Sequence, residues 1–280
     1  MLKVFLYLLF ISKSAYTHIF IDGVKVMKAA VLYNYDEALT ADTFVKYEDV
    51  PNPKIINPTD VIVKIGGAGV CRTDLHIVEG VWRGLVDVEF PHIMGHENAG
   101  WVEEIGKGVT SVSVGDPVIV HPLVTSGHCL ACRRGQDMHA LESSFPGINA
   151  NGGYAEYLLA PHAKYLVPYD GVDEAFAATA ACSGITAYSA LKKLKHLTAK
   201  QTTLIIGAGG VGLAGIGMAK AILKTKIIVA DIDPEKRKAA IELGADEVID
   251  NGAVDASKNL MIMTNGGPDG VVDFVGAPTT

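Results

Sequence analysis

The sequence predicts an α/β protein: a β-rich domain followed by a domain built on a parallel sheet. Residues 27–167 carry short Val- and Ile-rich runs bounded by Gly and Pro, as in DVIVKIGGAGV (60–70), AGWVEEIGKGV (99–109) and DPVIVHPL (116–123). Such runs read as antiparallel strands joined by tight turns. From about residue 173 the texture changes. An Ala-rich helical stretch over 173–194 leads into the apolar runs TLIIG, KIIVAD, DEVID and GVVDFVG, with helical segments between them. That alternation is the signature of βαβ units. The chain therefore divides into an N-terminal extension (1–26), a β-rich domain (27–172) and an α/β domain (173–280).

The bulk numbers agree with two domains. A length of 280 residues leaves room for about that many, and 49% hydrophobic residues can fill both cores. The 31 acidic residues outnumber the 24 basic ones, giving a net charge of −7, and no long block of Lys or Arg is present. Neither nucleic acid nor an anionic membrane is expected as a partner. Four cysteines in a chain this long do not make a disulfide scaffold. Reduced cysteines acting as ligands or catalysts fit better, and they imply the cytoplasm.

The first residues, MLKVFLYLLFISKSAYTHIF, hold an apolar run over 4–11. It is too short to span a bilayer, which takes roughly 20 apolar residues. Its size suits the apolar core of a signal peptide, with Ser12 and Ser14 as small residues beyond it. The other reading makes Met27 the natural start and residues 1–26 an upstream extension. Cysteine usage favours the second.

In the α/β half, GAGGVG (207–212) follows the strand 203–206 and opens a helical pattern running to about 223. Asp231 closes the next strand nineteen residues after Gly212, close to the spacing of about 20 found in dinucleotide-binding units. Gly207, Gly209, Gly210, Val211 and Gly212 would bring backbone and helix amides to a pyrophosphate. Asp231 would accept from ribose hydroxyls and repel a 2′-phosphate. No Lys or Arg precedes Lys236 in DIDPEK, which favours NAD over NADP.

In the β-rich half, CRTDLH (71–76) and GHEN (95–98) stand out, and Cys182 lies further on. Two thiolates and an imidazole with one open position make a known catalytic zinc set. Taken singly, Cys71 and Cys182 also read as small buried residues and His96 as a turn histidine.

Together GVCRTDLH, MGHENAGWVEEIGKGV, GDPVIVHP, NGGYAEY, CSGITAY and IIGAGGVG resemble the zinc-dependent, medium-chain alcohol dehydrogenases, from Met27 to the end of the chain. The resemblance implies a GroES-like catalytic domain followed by a Rossmann domain, with the active site in the cleft between them. It assigns Cys71, His96 and Cys182 to the catalytic zinc, with Glu97 behind the metal as an exchange ligand. Thr73 would hydrogen-bond the alcohol, His76 would end a proton relay, and Arg72 would lie near the cofactor pyrophosphate. Asp74 would orient the zinc-binding histidine, and Trp82 would line the alcohol pocket. The implied partner is a small alcohol or carbonyl compound, and a homo-oligomer is usual in the family.

The same family carries a structural zinc in a lobe of the β domain, held by four cysteines. Laid over SGHCLACRRGQDMHA, those positions are Ser126, Cys129, Cys132 and Ala140. Two ligands are gone, so the lobe is expected to hold no metal and the cofactors to be one zinc and NAD. His128 and His139 are near enough in sequence to weigh as substitutes, and a CxxC redox pair is the remaining alternative.

Four parallel strands are expected, at 203–206, 226–230, 246–249 and 270–275, against six in a full dinucleotide-binding sheet. The Rossmann domain is thus expected to be incomplete, the chain truncated and less stable for it, and oligomer formation weakened. Two other readings follow: an inactive fragment, and a zinc-free enoyl or quinone reductase of the same fold, against which the set Cys71, His96, Glu97 and Cys182 argues.

Overall fold

The computed structural model describes residues 20–21 and 24–277. Most of the N-terminal extension, with its apolar run at 4–11, lies outside the described residues. The chain forms two compact units that divide between Ala181 and Cys182.

The first unit holds, in chain order, β1 (Phe20–Ile21), β2 (Val24–Leu32), β3 (Lys46–Pro51), β4 (Val61–Gly69), α1 (Arg72–Glu79), β5 (His92–Ile93), β6 (Glu97–Ile105), β7 (Pro117–Val120), β8 (Val124–Thr125), α2 (Leu130–Arg133), β9 (Ser143–Ser144), β10 (Tyr157–Ala160), β11 (Leu166–Pro168) and α3 (Glu174–Thr179). Its main sheet runs in the order β10-β4-β6-β7-β11, antiparallel throughout. The β-branched runs of the sequence become its core. Val61, Val63, Val102, Val118, Val120 and Leu158 pack together, each fully buried apolar side chain contributing about 1.5–3 kcal/mol. A second sheet sets β2 between β3 and β1, with β5 also on β2, and β8 and β9 form a small ribbon of their own.

The second unit contains α4 (Ile185–Lys192), β12 (Thr202–Ile206), α5 (Gly210–Ile222), β13 (Lys226–Ala230), α6 (Pro234–Glu242), β14 (Glu247–Ile249), α7 (Ala256–Met263) and β15 (Gly270–Asp273). The sheet is parallel, in the order β14-β13-β12-β15. Strand β13 shows why its run is apolar at every position rather than alternating: a parallel strand covered on both faces has no polar side. Ile227 and Val229 join one cluster with Ile205, Ile216 and Leu191, whereas Ile228 and Ala230 join another with Leu204.

The expected strands are present with small shifts at their ends. Asp246 stays outside β14 because its carboxylate accepts from the Ile227 N–H at 2.8 Å and from Lys220. The last strand ends at Asp273, whose Oδ1 accepts from the N–H groups of Val275 and Gly276 and turns the chain away. The Ala-rich stretch 173–194 is helical from Glu174 to Lys192, but residues Ala180–Gly184 widen into a π-helix.

Candidate metal centre and dinucleotide loop

Cys71 caps α1 in an extended conformation. Asp74, at the third helical position, reaches back so that its Oδ2 accepts the Cys71 N–H at 2.8 Å, one half of the reciprocal capping seen at helix starts. His96 and Glu97 stand where β6 begins, only 3% and 2% exposed. The unit boundary at Cys182 cuts a continuous helical segment, so the residues before it fix this cysteine locally. Ala177 and Ala178 pack on Ala99 of β6. A Cβ at Gly67 would lie 2.5 Å from the Glu174 carbonyl oxygen, and glycine there lets α3 lie close on β4. Cys182 follows Ala178 by about one turn, inside the π segment. The ligand atoms of Cys71, His96, Glu97 and Cys182 all lie within 4.8 Å of one another.

This donor set fits zinc. Bonds of about 2.0–2.3 Å in a tetrahedron place ligand atoms roughly 3.3–3.8 Å apart, so a small contraction would close the site. His96 Nδ1 lies 3.3 Å from Asp74 Oδ1, with no in-line hydrogen bond between these two buried atoms. Nε2 is then the ring nitrogen turned to the metal position, and the carboxylate behind the ring orients it. Burial opposes a charge on His96, but Asp74 and Cys71 overcome it and raise the imidazole pKa to about 10.

Strand β12 ends at Ile206 and the glycine turn follows at once. Gly207 takes φ +91°, a conformation that favours glycine. At Gly212 a Cβ would stand 2.0 Å from the Gly207 carbonyl oxygen, whereas at Gly209 and Gly210 it would meet nothing within 4 Å. One glycine shapes the turn, one lets helix α5 pack against it, and two leave open space before the helix amides, where a pyrophosphate fits. Val211 is half-buried in the first turn of α5. Asp231 braces the same loop: its Oδ2 accepts the Ala208 N–H at 2.8 Å and its Oδ1 the Asp233 N–H at 2.9 Å. Each oxygen keeps a second lone pair for a ribose hydroxyl.

Comparison with known proteins gives the same answer from another direction. The profile of the alcohol dehydrogenase GroES-like domain matches residues 57–171, and that of the zinc-binding dehydrogenases matches 210–280. An NAD-dependent alcohol dehydrogenase of Sulfolobus acidocaldarius is 37% identical over 91% of this chain and 72% of its own length. The chain belongs to the zinc-dependent, medium-chain alcohol dehydrogenase family. The alcohol dehydrogenase of Aeropyrum pernix superposes with a TM-score of 0.81 at 40% identity, over 89% of this chain and 72% of that one. An L-threonine 3-dehydrogenase of Pyrococcus horikoshii is 36% identical over 82% of this chain and 65% of its own.

As a member of this family, the protein has further expected site residues along α1. Thr73 and His76 are both half-buried and stand three residues apart, on one helix face. His76 meets Trp82 edge-on at 5.8 Å, and both line a small recess with Tyr35, Ile77, Arg83 and Ile148. Arg72 is exposed and pairs with Glu79 at 3.1 Å.

Sequence reasoning missed Tyr154. Its hydroxyl donates to Asp74 Oδ2 at 2.9 Å and lies 3.1 Å from the Gly69 carbonyl. Burial, together with Asp74, Glu97 and Cys71, pushes its pKa far above the ordinary tyrosine range, so it remains a donor. The motif NGGYAEY contained the residue, but nothing local says that its hydroxyl crosses to residue 74.

Proposed function

We propose that this protein oxidises an alcohol with NAD, and reduces the corresponding aldehyde or ketone, at a zinc held by Cys71, His96 and Cys182. The observation that carries the reading is the gathering of those three donors, with Glu97 beside them, within 4.8 Å. Bound there, zinc would supply Lewis-acid polarisation of the substrate oxygen. NAD, seated on Gly207–Gly212 by its pyrophosphate and on Asp231 by its ribose, would supply the hydride acceptor.

The chain's own residues have the remaining tasks. Asp74 holds the His96 ring, and Tyr154 holds Asp74. Thr73 accepts a hydrogen bond from the substrate hydroxyl and can donate its own proton onward. His76 passes a proton to solvent, a task suited to imidazole because its ordinary pKa of about 6.5 lies near neutrality. Glu97 stands ready as an exchange ligand, and Arg72 balances phosphate charge once released from Glu79. Trp82 shapes the alcohol pocket. The division between the two domains falls at Ala181/Cys182, nine residues beyond the boundary expected at 172/173. Among the described residues no helix is long and apolar enough to cross a membrane, and the reduced-cysteine usage supports a cytoplasmic setting.

The test is alcohol-dependent NADH formation by the zinc-loaded protein. The expected result is turnover that a zinc chelator abolishes and added zinc restores. Reduction of an enone that survives chelation would replace this reading with that of a zinc-free reductase.

A further inference from the structure

The lobe at 124–144 is a second cysteine site, and its geometry differs from that of a metal centre. Cys129 precedes α2 and Cys132 sits at its third position. Their sulfurs are 3.0 Å apart, inside ordinary sulfur–sulfur contact and about 1 Å from the S–S bond length of roughly 2.05 Å. The Cys132 N–H points at the Cys129 sulfur at 3.4 Å, and the Cys129 carbonyl accepts from the Arg133 N–H at 3.0 Å, which closes the turn that holds the pair. Nothing else in the lobe completes a zinc site. Ser126 and Ala140 stand at the outer positions. His128 directs Nδ1 to the Ser126 carbonyl at 2.9 Å. Among the described residues, the one group of three or more potential ligands is that of Cys71. Both thiols are half-buried, within reach of a small reagent.

We infer that Cys129 and Cys132 form a reversible dithiol–disulfide site whose reaction partner is a small-molecule disulfide, with Cys129 attacking and Cys132 resolving. The Cys129 thiol is acidified by the Cys132 thiol and then by the backbone N–H groups of Cys132, Ala131 and Leu141, and thiolate is the attacking species. Cys129 Sγ bonds to one sulfur of the reagent and displaces the other as thiolate. Cys132 then loses its proton, attacks Cys129 Sγ and displaces the second reagent thiolate. One S–S bond breaks in the reagent and one forms in the protein. Two electrons pass to the reagent, and the two protons lost by the cysteines end on its two thiols. The closed loop is short, so the bond adds little stability by chain restriction. Its half-buried sulfurs stay within reach of a small thiol, which makes the bond reducible. The inference does not depend on the dehydrogenase reading.

The sequence makes the test clean. Trypsin leaves Cys129 and Cys132 together in one peptide, 108–133, with Cys71 in 65–72 and Cys182 in 165–192. Reduced, zinc-loaded protein is treated with oxidised glutathione, quenched with iodoacetamide, digested and weighed. The expected 108–133 peptide is two hydrogens lighter and takes no alkyl group. In Cys132→Ser the reaction should stop at a glutathione adduct on Cys129. In Cys129→Ser the adduct should form roughly tenfold more slowly, because the sulfur removed is the one that accepts the backbone N–H of Cys132. The inference fails if the wild-type peptide stays doubly alkylated, if it accumulates the adduct as Cys132→Ser does, or if the protein binds two zinc ions and both thiols are protected.

Discussion

The chain has two cysteine-bearing regions, held in place by different means. At the Cys71 centre the ligands come from α1, the start of β6 and the helix after α3, and core packing brings them together. In the lobe, Cys129 and Cys132 meet because a single turn of backbone places them side by side. The first arrangement depends on the fold. The second depends on a few residues, and it survives when its outer partners become Ser126 and Ala140. A general rule follows: substitution costs most where distant elements converge and least where a turn holds itself.

The largest effect is expected at the convergent centre. His96→Ala removes the imidazole ligand and leaves the buried Asp74 carboxylate without the ring it faces. Zinc per chain should fall from about one to near none by elemental analysis, and alcohol turnover should drop by roughly a thousandfold or more, since the metal supplies several kcal/mol of charge stabilisation. Zinc retained at full occupancy in His96→Ala would overturn the assignment.

The glycine turn gives a paired test. A Cβ at Gly212 would lie 2.0 Å from a backbone oxygen, one at Gly210 in open space. Gly212→Ala is therefore expected to destabilise the protein by about 1–3 kcal/mol through overpacking that backbone cannot relieve cheaply. Gly210→Ala should leave thermal stability unchanged or raised by about 0.5–1 kcal/mol. Its methyl would stand where the pyrophosphate approaches, so calorimetry should show NAD binding roughly tenfold weaker, about 1.4 kcal/mol. Equal melting temperatures for the two variants would break the comparison.

Tyr154→Phe should have a smaller effect. Asp74 loses one donor but keeps the Cys71 N–H. Zinc affinity should fall by roughly 10–100-fold, the usual cost of removing support behind a ligand, with little change in helix content by circular dichroism.

These cases also show what the sequence could reveal. The sheet in the second unit was legible because apolar runs, the GAGGVG turn and Asp231 are local signals at fixed spacing. The donor types at 71, 96 and 182 were legible as chemistry, but their convergence was not, since it rests on Ala99 meeting Ala177 and Ala178 across some eighty residues. The π-helix at 180–184 was invisible for a related reason. Its residues, AACSG, have no propensity that would widen a helix, and π segments often mark functional positions. Tyr154 was hidden because a hydroxyl's partner is a tertiary fact.

A milder effect is expected at β5. His92 is 3% exposed, and its Nε2 has no hydrogen-bond partner. Burial lowers its pKa, against the opposing effect of a hydrogen bond that the ring donates to the Gly147 backbone. Above the ordinary histidine value, about 6.5, both folded and unfolded forms are neutral there and stability is unaffected. As pH falls below that value the unfolded chain takes up a proton that the folded one resists, so stability declines until the folded pKa is reached. Urea midpoints between pH 7 and 5 should fall less steeply in His92→Asn than in wild type. A slope unchanged by the substitution would mean that His92 takes up its proton as readily in the folded protein as in the unfolded chain.

The smallest effect is expected in the lobe. Cys129 is the N-cap of α2 and accepts from the Cys132 N–H through sulfur at a long 3.4 Å. A serine oxygen is a better acceptor in that position, and serine is among the favoured N-cap residues. In the reduced protein, Cys129→Ser should therefore keep its thermal stability within about 0.5 kcal/mol of wild type, the range of an ordinary surface change. Were the lobe a hidden metal site, the same substitution would remove a ligand and a large part of the lobe's stability, and zinc content would fall with it. The two cysteine regions then separate on one pair of measurements. His96→Ala loses zinc, and Cys129→Ser loses neither zinc nor melting temperature, because one region is built by the fold around a cation and the other by a turn around two thiols.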